Sequence, residues 1–167
     1  MLAMALCLSS NTWSPPSSSR KPMRCHISST SGRGQRDAKA FGVIWIDLDH
    51  FKLINDRFGH DIGDKALVTV AKQIRAILRG YDEAARWGGD EFLILIRDAT
   101  PNLIEELTAR LLSQVNQFKP EVPQLKLSLS AGACVALREE SLQMTLARAD
   151  KALYRAKEEG RNCYRLD

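Results

Sequence analysis

Three carboxylates stand where a divalent cation could be held. Asp47 lies at the end of an apolar run, Phe41–Leu48, and Asp90 and Glu91 follow the dipeptide Gly88-Gly89 at the start of a second one. Both runs are rich in β-branched and aromatic residues and read as strands. If the two strands pair as neighbours, carboxylates from both meet at one sheet edge. Hard oxygen ligands of that kind suit Mg²⁺, which takes a few carboxylates plus substrate phosphates. A pair of such ions can clamp a nucleotide during in-line displacement at phosphorus. Acids beside turns, Asp49 included, are also common on surfaces, so the spacing by itself leaves both readings open. Gly88-Gly89 reads as a tight hairpin turn whose two central positions need positive φ. A turn without side chains also lets a ligand approach the backbone closely.

The elements that must position these residues follow from the apolar period. Phe51–Phe58 reads as a short helix after the first strand. Asp61–Arg79 repeats apolar residues at helical spacing (Ile62, Ala66, Leu67, Val70, Ile74 and Ile77 among them) and is ended by Gly80. Ala84–Trp87 and Asp90–Ile96 are the strands that flank the glycines. Thr100-Pro101 opens the next helix as cap and first residue. Leu125–Val135 alternates cleanly and predicts a half-buried strand. Ser141–Glu159 is the last helix, stopped by Gly160, and Tyr164–Leu166 makes a short final strand. The order predicts an α/β (α+β) sandwich: one mixed, mainly antiparallel sheet with helices packed on it. That is the ferredoxin-like, nucleotide-cyclase palm class.

The 167 residues suit one domain, and the charge is unevenly spread. Residues 1–36 hold Arg20, Lys21, Arg24, Arg33 and Arg36, nine serines and no acid. Such a stretch cannot build a core and is expected to be a disordered tail. The rest of the chain is near neutral, so no basic face for nucleic acid is expected despite the overall charge of +4. Cys7, Cys25, Cys134 and Cys163 have neither metal-ligand spacing nor a disulfide framework, which fits a reduced cytoplasmic setting. No apolar run reaches the roughly 18 residues of a membrane span.

Four motifs carry a resemblance. They are Asp47-Leu48-Asp49-His50-Phe51-Lys52-Leu53-Ile54-Asn55-Asp56, Phe58-Gly59-His60-Asp61-Ile62-Gly63-Asp64, Arg86-Trp87-Gly88-Gly89-Asp90-Glu91-Phe92, and Ala149–Lys157 with Gly160-Arg161-Asn162. In this order and at these spacings the chain resembles the GGDEF domain of diguanylate cyclases, from about Phe41 to Asn162. The resemblance implies condensation of two GTP into cyclic di-GMP, with release of two pyrophosphates, by a homodimer of facing domains. It implies that Asp47, Asp90 and the carbonyl of Leu48 hold two Mg²⁺ ions, with Mn²⁺ as a substitute. It gives Asp90, Lys52 and Glu91 catalytic roles, Lys157 and Arg161 the triphosphate, and Asn55 and Asp64 the guanine. The last pairing agrees with elementary chemistry, since an ionised Asp only accepts hydrogen bonds and guanine offers N1–H and a 2-amino group. Arg79 and Asp82, with five residues between Asp82 and Gly88, resemble the family's inhibitory site for cyclic di-GMP.

The family's helical segment before the first strand is not recognisable in residues 1–40. The expectation is therefore an N-terminally truncated domain over residues 37–167, preceded by the tail at 1–36. Two other readings follow from that: an inactive GTP- or cyclic di-GMP-binding module, and a structural remnant of a cyclase.

Overall fold

The structure is a computed structural model that describes residues 6–7, 40–120 and 122–167. The expected tail falls outside the described residues, except for Leu6–Cys7, which forms a two-residue strand, β1. The other strands are β2 Phe41–Leu48, β3 Glu83–Arg86, β4 Glu91–Arg97, β5 Leu129–Val135 and β6 Tyr164–Leu166. The helices are α1 Phe51–Phe58, α2 His60–Ile77, α3 Pro101–Gln117 and α4 Leu142–Glu158.

The strands form one sheet in the order β1-β3-β4-β2-β5-β6. Every pairing is antiparallel except that of β5 with β6. The expected mixed, mainly antiparallel sheet with packed helices is what the chain adopts. β2 lies between β4 and β5, so its apolar run has a neighbour on each side. Alternate residues of β2 serve opposite layers. Ile44, Ile46 and Leu48 enter the large core with α2 and α3, whereas Val43 and Trp45 join a smaller cluster with Ala149 and Leu146 of α4. Asp47 continues the second set, so its side chain belongs to the face that α4 covers.

Local chemistry sets the helix ends. Thr100 caps α3 by accepting from Leu103 N at 3.2 Å, and Pro101 takes the first helical position, where no N–H is missed. Ser141 caps α4 in the same way, and Gly160, at φ +107°, follows its end. Gly80 does not do this for α2. That helix stops at Ile77, and Leu78 is already extended at φ −83°, ψ 145°. The following turn is held by Asp82, whose carboxylate accepts from Arg79 N, so no glycine is needed at the cap.

β5 also departs from expectation. It begins at Leu129, and Leu125 and Leu127 are buried as core anchors outside the ladder. It is buried on both faces because α3 covers one and α4 the other. The second contact is close: a Cβ on Gly132 would fall 2.1 Å from both Ala149 O and Leu153 N. Only a residue without a side chain lets α4 approach the sheet this far.

Candidate active site

The β2–β4 register brings the acids together. Asp47 stands opposite Glu91, and Leu48 N donates to the carbonyl of Asp90 at 3.0 Å. From the covering helix, Lys157 Nζ donates to Asp47 Oδ2 at 2.6 Å, with side chains 30% and 13% exposed. Burial raises the Asp47 pKa above the usual carboxylate value. Lys157 opposes that rise, and the charges of Asp90 and Asp49 add to it. Glu91 is raised too, first by burial and then by the charge of Asp47. Asp47 and Glu91 are thus partly desolvated at this edge, where a nearby cation would favour their charged forms.

The turn beside it differs from the expected one. Among the described glycines only Gly59 and Gly160 have positive φ, so Gly88 and Gly89 do not use that freedom. The connection is wider than two residues: Trp87 N donates to Glu91 O at 2.8 Å and closes the intervening loop. A loop of that length needs no left-handed pair. The Arg86 side chain stays with its own turn and donates from Nε to the carbonyls of Gly88 and Gly89 at 3.1 and 3.2 Å. Nothing lies within 4 Å of where a Gly89 Cβ would be, so the turn presents bare backbone outward. The role of Arg86 as a clasp was missed in the sequence, where it read only as part of a motif.

α1 begins directly after β2, turned by His50 at φ 57°. It carries exposed Lys52 and, one helical turn on, Asn55. Asn55 Oδ1 is buried without a hydrogen-bond partner. Such an orphan acceptor is costly unless a ligand donates to it. Gly63 of α2 makes room for this amide, since a Cβ there would fall 1.8 Å from Asn55 Oδ1. Asp64 follows next in the chain and is exposed. The two expected base-reading residues are thus brought to one α1–α2 junction, and Gly63 is the seat that sequence reasoning passed over.

Arg161 is exposed just beyond α4, in a run where Gly160, Arg161 and Asn162 all have positive φ. Asp49 does not join the acids of the edge. It is 3% exposed and accepts from Ser128 Oγ at 2.8 Å, Ser130 Oγ at 2.6 Å and Asn162 N at 3.0 Å. At the far end of β3 and β4, Asp82 is 8% exposed and accepts from Arg79 N at 3.0 Å and Arg97 N at 3.1 Å. The Arg79 side chain reaches outward over the Tyr81 ring.

Among the described residues no three His, Cys, Asp or Glu side chains converge into a cage for a metal. The oxygen donors at the β2–β4 edge still fit Mg²⁺, which uses one or two carboxylates and leaves its other positions to water and phosphate.

Sheet, acidic edge and orphan amide together define a nucleotide-cyclase palm. The sequence profile of the family described as "Diguanylate cyclase, GGDEF domain" matches residues 18–163, and the chain belongs to that family. It is 38% identical over 131 residues to the bifunctional diguanylate cyclase/cyclic di-GMP phosphodiesterase MucR of Pseudomonas aeruginosa, covering 77% of this chain and 19% of that one. The solved active GGEEF domain of a diguanylate cyclase from Vibrio cholerae is 30% identical, with a TM-score of 0.74 over 77% of this chain and 83% of that one. The GGDEF domain of DgcB from Caulobacter crescentus, solved with c-di-GMP, is 28% identical, with a TM-score of 0.71 over 76% and 77%. The chain spans 19%, 35% and 45% of three curated relatives it matches. No helix among the described residues is long and apolar enough to cross a membrane.

Proposed function

We propose that the chain is a diguanylate cyclase that joins two GTP molecules into cyclic di-GMP. The observation that carries this reading is the β2–β4 register, which sets Asp47 opposite Glu91 beside Asp90 and under Lys157. Asp47, Asp90 and the carbonyl of Leu48 are the residues that would hold the metal pair, Mg²⁺ or Mn²⁺. Bound there, the metal supplies Lewis-acid neutralisation of phosphate charge and acidifies the attacking hydroxyl.

The chain's own residues do the rest. Asn55 Oδ1 and the Asp64 carboxylate accept from the N1–H and 2-amino group of guanine, which adenine lacks at those places. Lys52, Lys157 and Arg161 bind the triphosphate, and Lys52 offsets the charge that grows in the transition state. Asp90 stands to take the proton as the 3′-oxygen bonds to the α-phosphorus and pyrophosphate leaves. Glu91 shapes the same edge. Each domain presents one GTP, so turnover requires a homodimer with the two sites facing across a twofold axis. Arg79, outward over Tyr81, is the contact through which cyclic di-GMP inhibits, and Asp82 holds the turn that presents it. The cytoplasm is the compartment we infer for the reaction, with no nucleic acid as partner and no membrane span among the described residues.

The test is incubation of the chain with GTP and Mg²⁺ at a series of protein concentrations. Cyclic di-GMP should form at a rate that rises with the square of dilute enzyme, and Asp90→Ala should abolish it. A rate linear in enzyme from a strictly monomeric preparation would overturn the dimer requirement. GTP binding without product would leave a binding module, and no binding at all a remnant.

A further inference from the structure

Asp49 is a buried carboxylate that none of the proposed chemistry uses. Its three partners come from two other parts of the chain. Ser128 and Ser130 donate from the entry to β5, and Asn162 N donates from the turn after α4. Asp49 N in turn donates to Ser128 O at 3.0 Å. The group thus binds together the end of β2, the start of β5 and the residues that follow α4.

The third connection is the informative one. Gly160, Arg161 and Asn162 have φ of 107°, 64° and 50°. Asn162 adopts left-handed backbone readily, but Arg161 does so only where surrounding structure holds it. The Asn162 N–H, fixed on the buried Asp49 side chain at 3.0 Å, supplies that enforcement at one end. Arg161 N on Ala156 O, at 3.1 Å, supplies it at the other. Arg161, between the two, is exposed and four residues past Lys157, which rests on Asp47. Charge-assisted hydrogen bonds of this kind are roughly twice as strong as neutral ones. An asparagine at 49 would replace one acceptor oxygen by a donor and could not receive all three bonds.

We propose that Asp49 is a positioning residue for the nucleotide site: it holds the 160–162 turn in its left-handed form and so aims Arg161 at the substrate triphosphate. The substrate part rests on the cyclase reading, whereas the turn part does not. Asp49 acts through Arg161 and not on the reacting atoms, so its loss should fall on binding.

The experiment is a double-mutant cycle on the full chain with Asp49→Asn, Arg161→Ala and the pair, with amide hydrogen exchange on each. Asp49→Asn should raise the KM for GTP by about tenfold, the loss expected for one charged contact, and leave kcat within about threefold. The pair should be no worse than Arg161→Ala alone. Exchange at Asn162 should be slow in the parent chain despite its exposed side chain and faster in Asp49→Asn, with β4 unchanged. Losses that simply add, or a fall in kcat alone, would overturn the coupling to Arg161. Faster exchange throughout the sheet would make Asp49 merely structural. Should Asp49→Asn fail to fold, the parent chain decides, because coil-like exchange at Asn162 would refute the anchor. A parent chain that binds no GTP would sink the cyclase reading and leave the exchange result to judge the turn.

Discussion

Lys157→Met should move two affinities in opposite directions. In the free protein Lys157 Nζ sits on Asp47 Oδ2 at 2.6 Å, on the carboxylate assigned to the metal. A divalent ion arriving without nucleotide must first displace that ammonium. Exposed ion pairs contribute about 0.2–1 kcal/mol, and removal of one partner from a buried pair costs about 3–5 kcal/mol. With side chains 30% and 13% exposed, this pair lies between those limits, so about 2 kcal/mol is reasonable. Relief of that competition corresponds to about 30-fold tighter divalent-ion binding in the variant. GTP, by contrast, loses a charge-assisted hydrogen bond of about 1.5–3 kcal/mol and should bind about 10- to 100-fold more weakly. The assay is titration with Mn²⁺, followed by the spectrum of the free ion, with and without a non-hydrolysable GTP analogue. Unchanged or weaker Mn²⁺ binding without nucleotide, in a variant with an intact circular-dichroism spectrum, would refute the competition. Stability gives a second reading. Lys157 opposes the rise in the Asp47 pKa, so its removal raises that pKa further. A folded pKa above the unfolded one costs stability at every pH above the folded value, and the cost disappears as the carboxyl protonates. The variant should therefore lose most stability near neutrality and recover on acidification, which urea melts at several pH values would register.

The acid limb of divalent-ion binding should lie above the ordinary carboxylate range, because Asp47 is raised and must be ionised to serve a cation; Mn²⁺ titrations from pH 4 to 8, roughly the span that group can reach, would locate it. Gly89→Ala should change stability by less than about 0.5 kcal/mol, since nothing lies near the added Cβ and φ is not positive. The same variant should lower cyclic di-GMP formation by at least about tenfold if substrate passes over that backbone; a fully active variant would remove the turn from the site. Gly63→Ala should displace Asn55, whose Oδ1 lies 1.8 Å from the new Cβ, and raise the KM for GTP. Asp82→Ala should cost about 1–3 kcal/mol by leaving Arg79 N and Arg97 N without their acceptor, whereas Arg79→Ala should spare stability and weaken inhibition by cyclic di-GMP, two outcomes that melts and product-inhibition curves separate.

The layered sheet was legible because its strands and helices have unmistakable periods. Phe41–Leu48 has no polar residue before its acid, and a run so apolar must be central; the structure gives β2 a neighbour on each side. The misreadings occur where two causes leave the same pattern. Leu125, Leu127 and Leu129 alternate as a strand would, yet the first two alternate only because each enters the core from an unpaired segment. Gly132 inside β5 carried no signal of its importance, because the backbone it must clear belongs to α4, far along the chain. Gly88 and Gly89 suggested a conformational need that their backbone, without positive φ, does not show.

The same distinction separates the visible part of the site from the hidden part. Asp47, Asp90 and Glu91 are legible because chemistry prescribes their type and strand ends prescribe their place. Asn55 and Asp64 are singled out by the family resemblance, and what guanine can donate agrees with a carboxylate at Asp64. Asp49 was open to misreading because it has the same type and sits two residues from Asp47, so sequence grouped it with the other acids. β-strand alternation puts 47 and 49 on one side, but the chain turns out of the sheet after Leu48, and that turn carries Asp49 to Ser128 and Ser130 at the entry to β5 instead. The two aspartates therefore do opposite things with the same carboxylate. Asp47 is short of protein donors, with one lysine that a cation can displace, which suits a ligand site. Asp49 is saturated by donors no ligand would displace, which suits a fixed support. In a crowded acidic edge, the number of protein hydrogen bonds each carboxylate already accepts is what sorts binding groups from supporting ones.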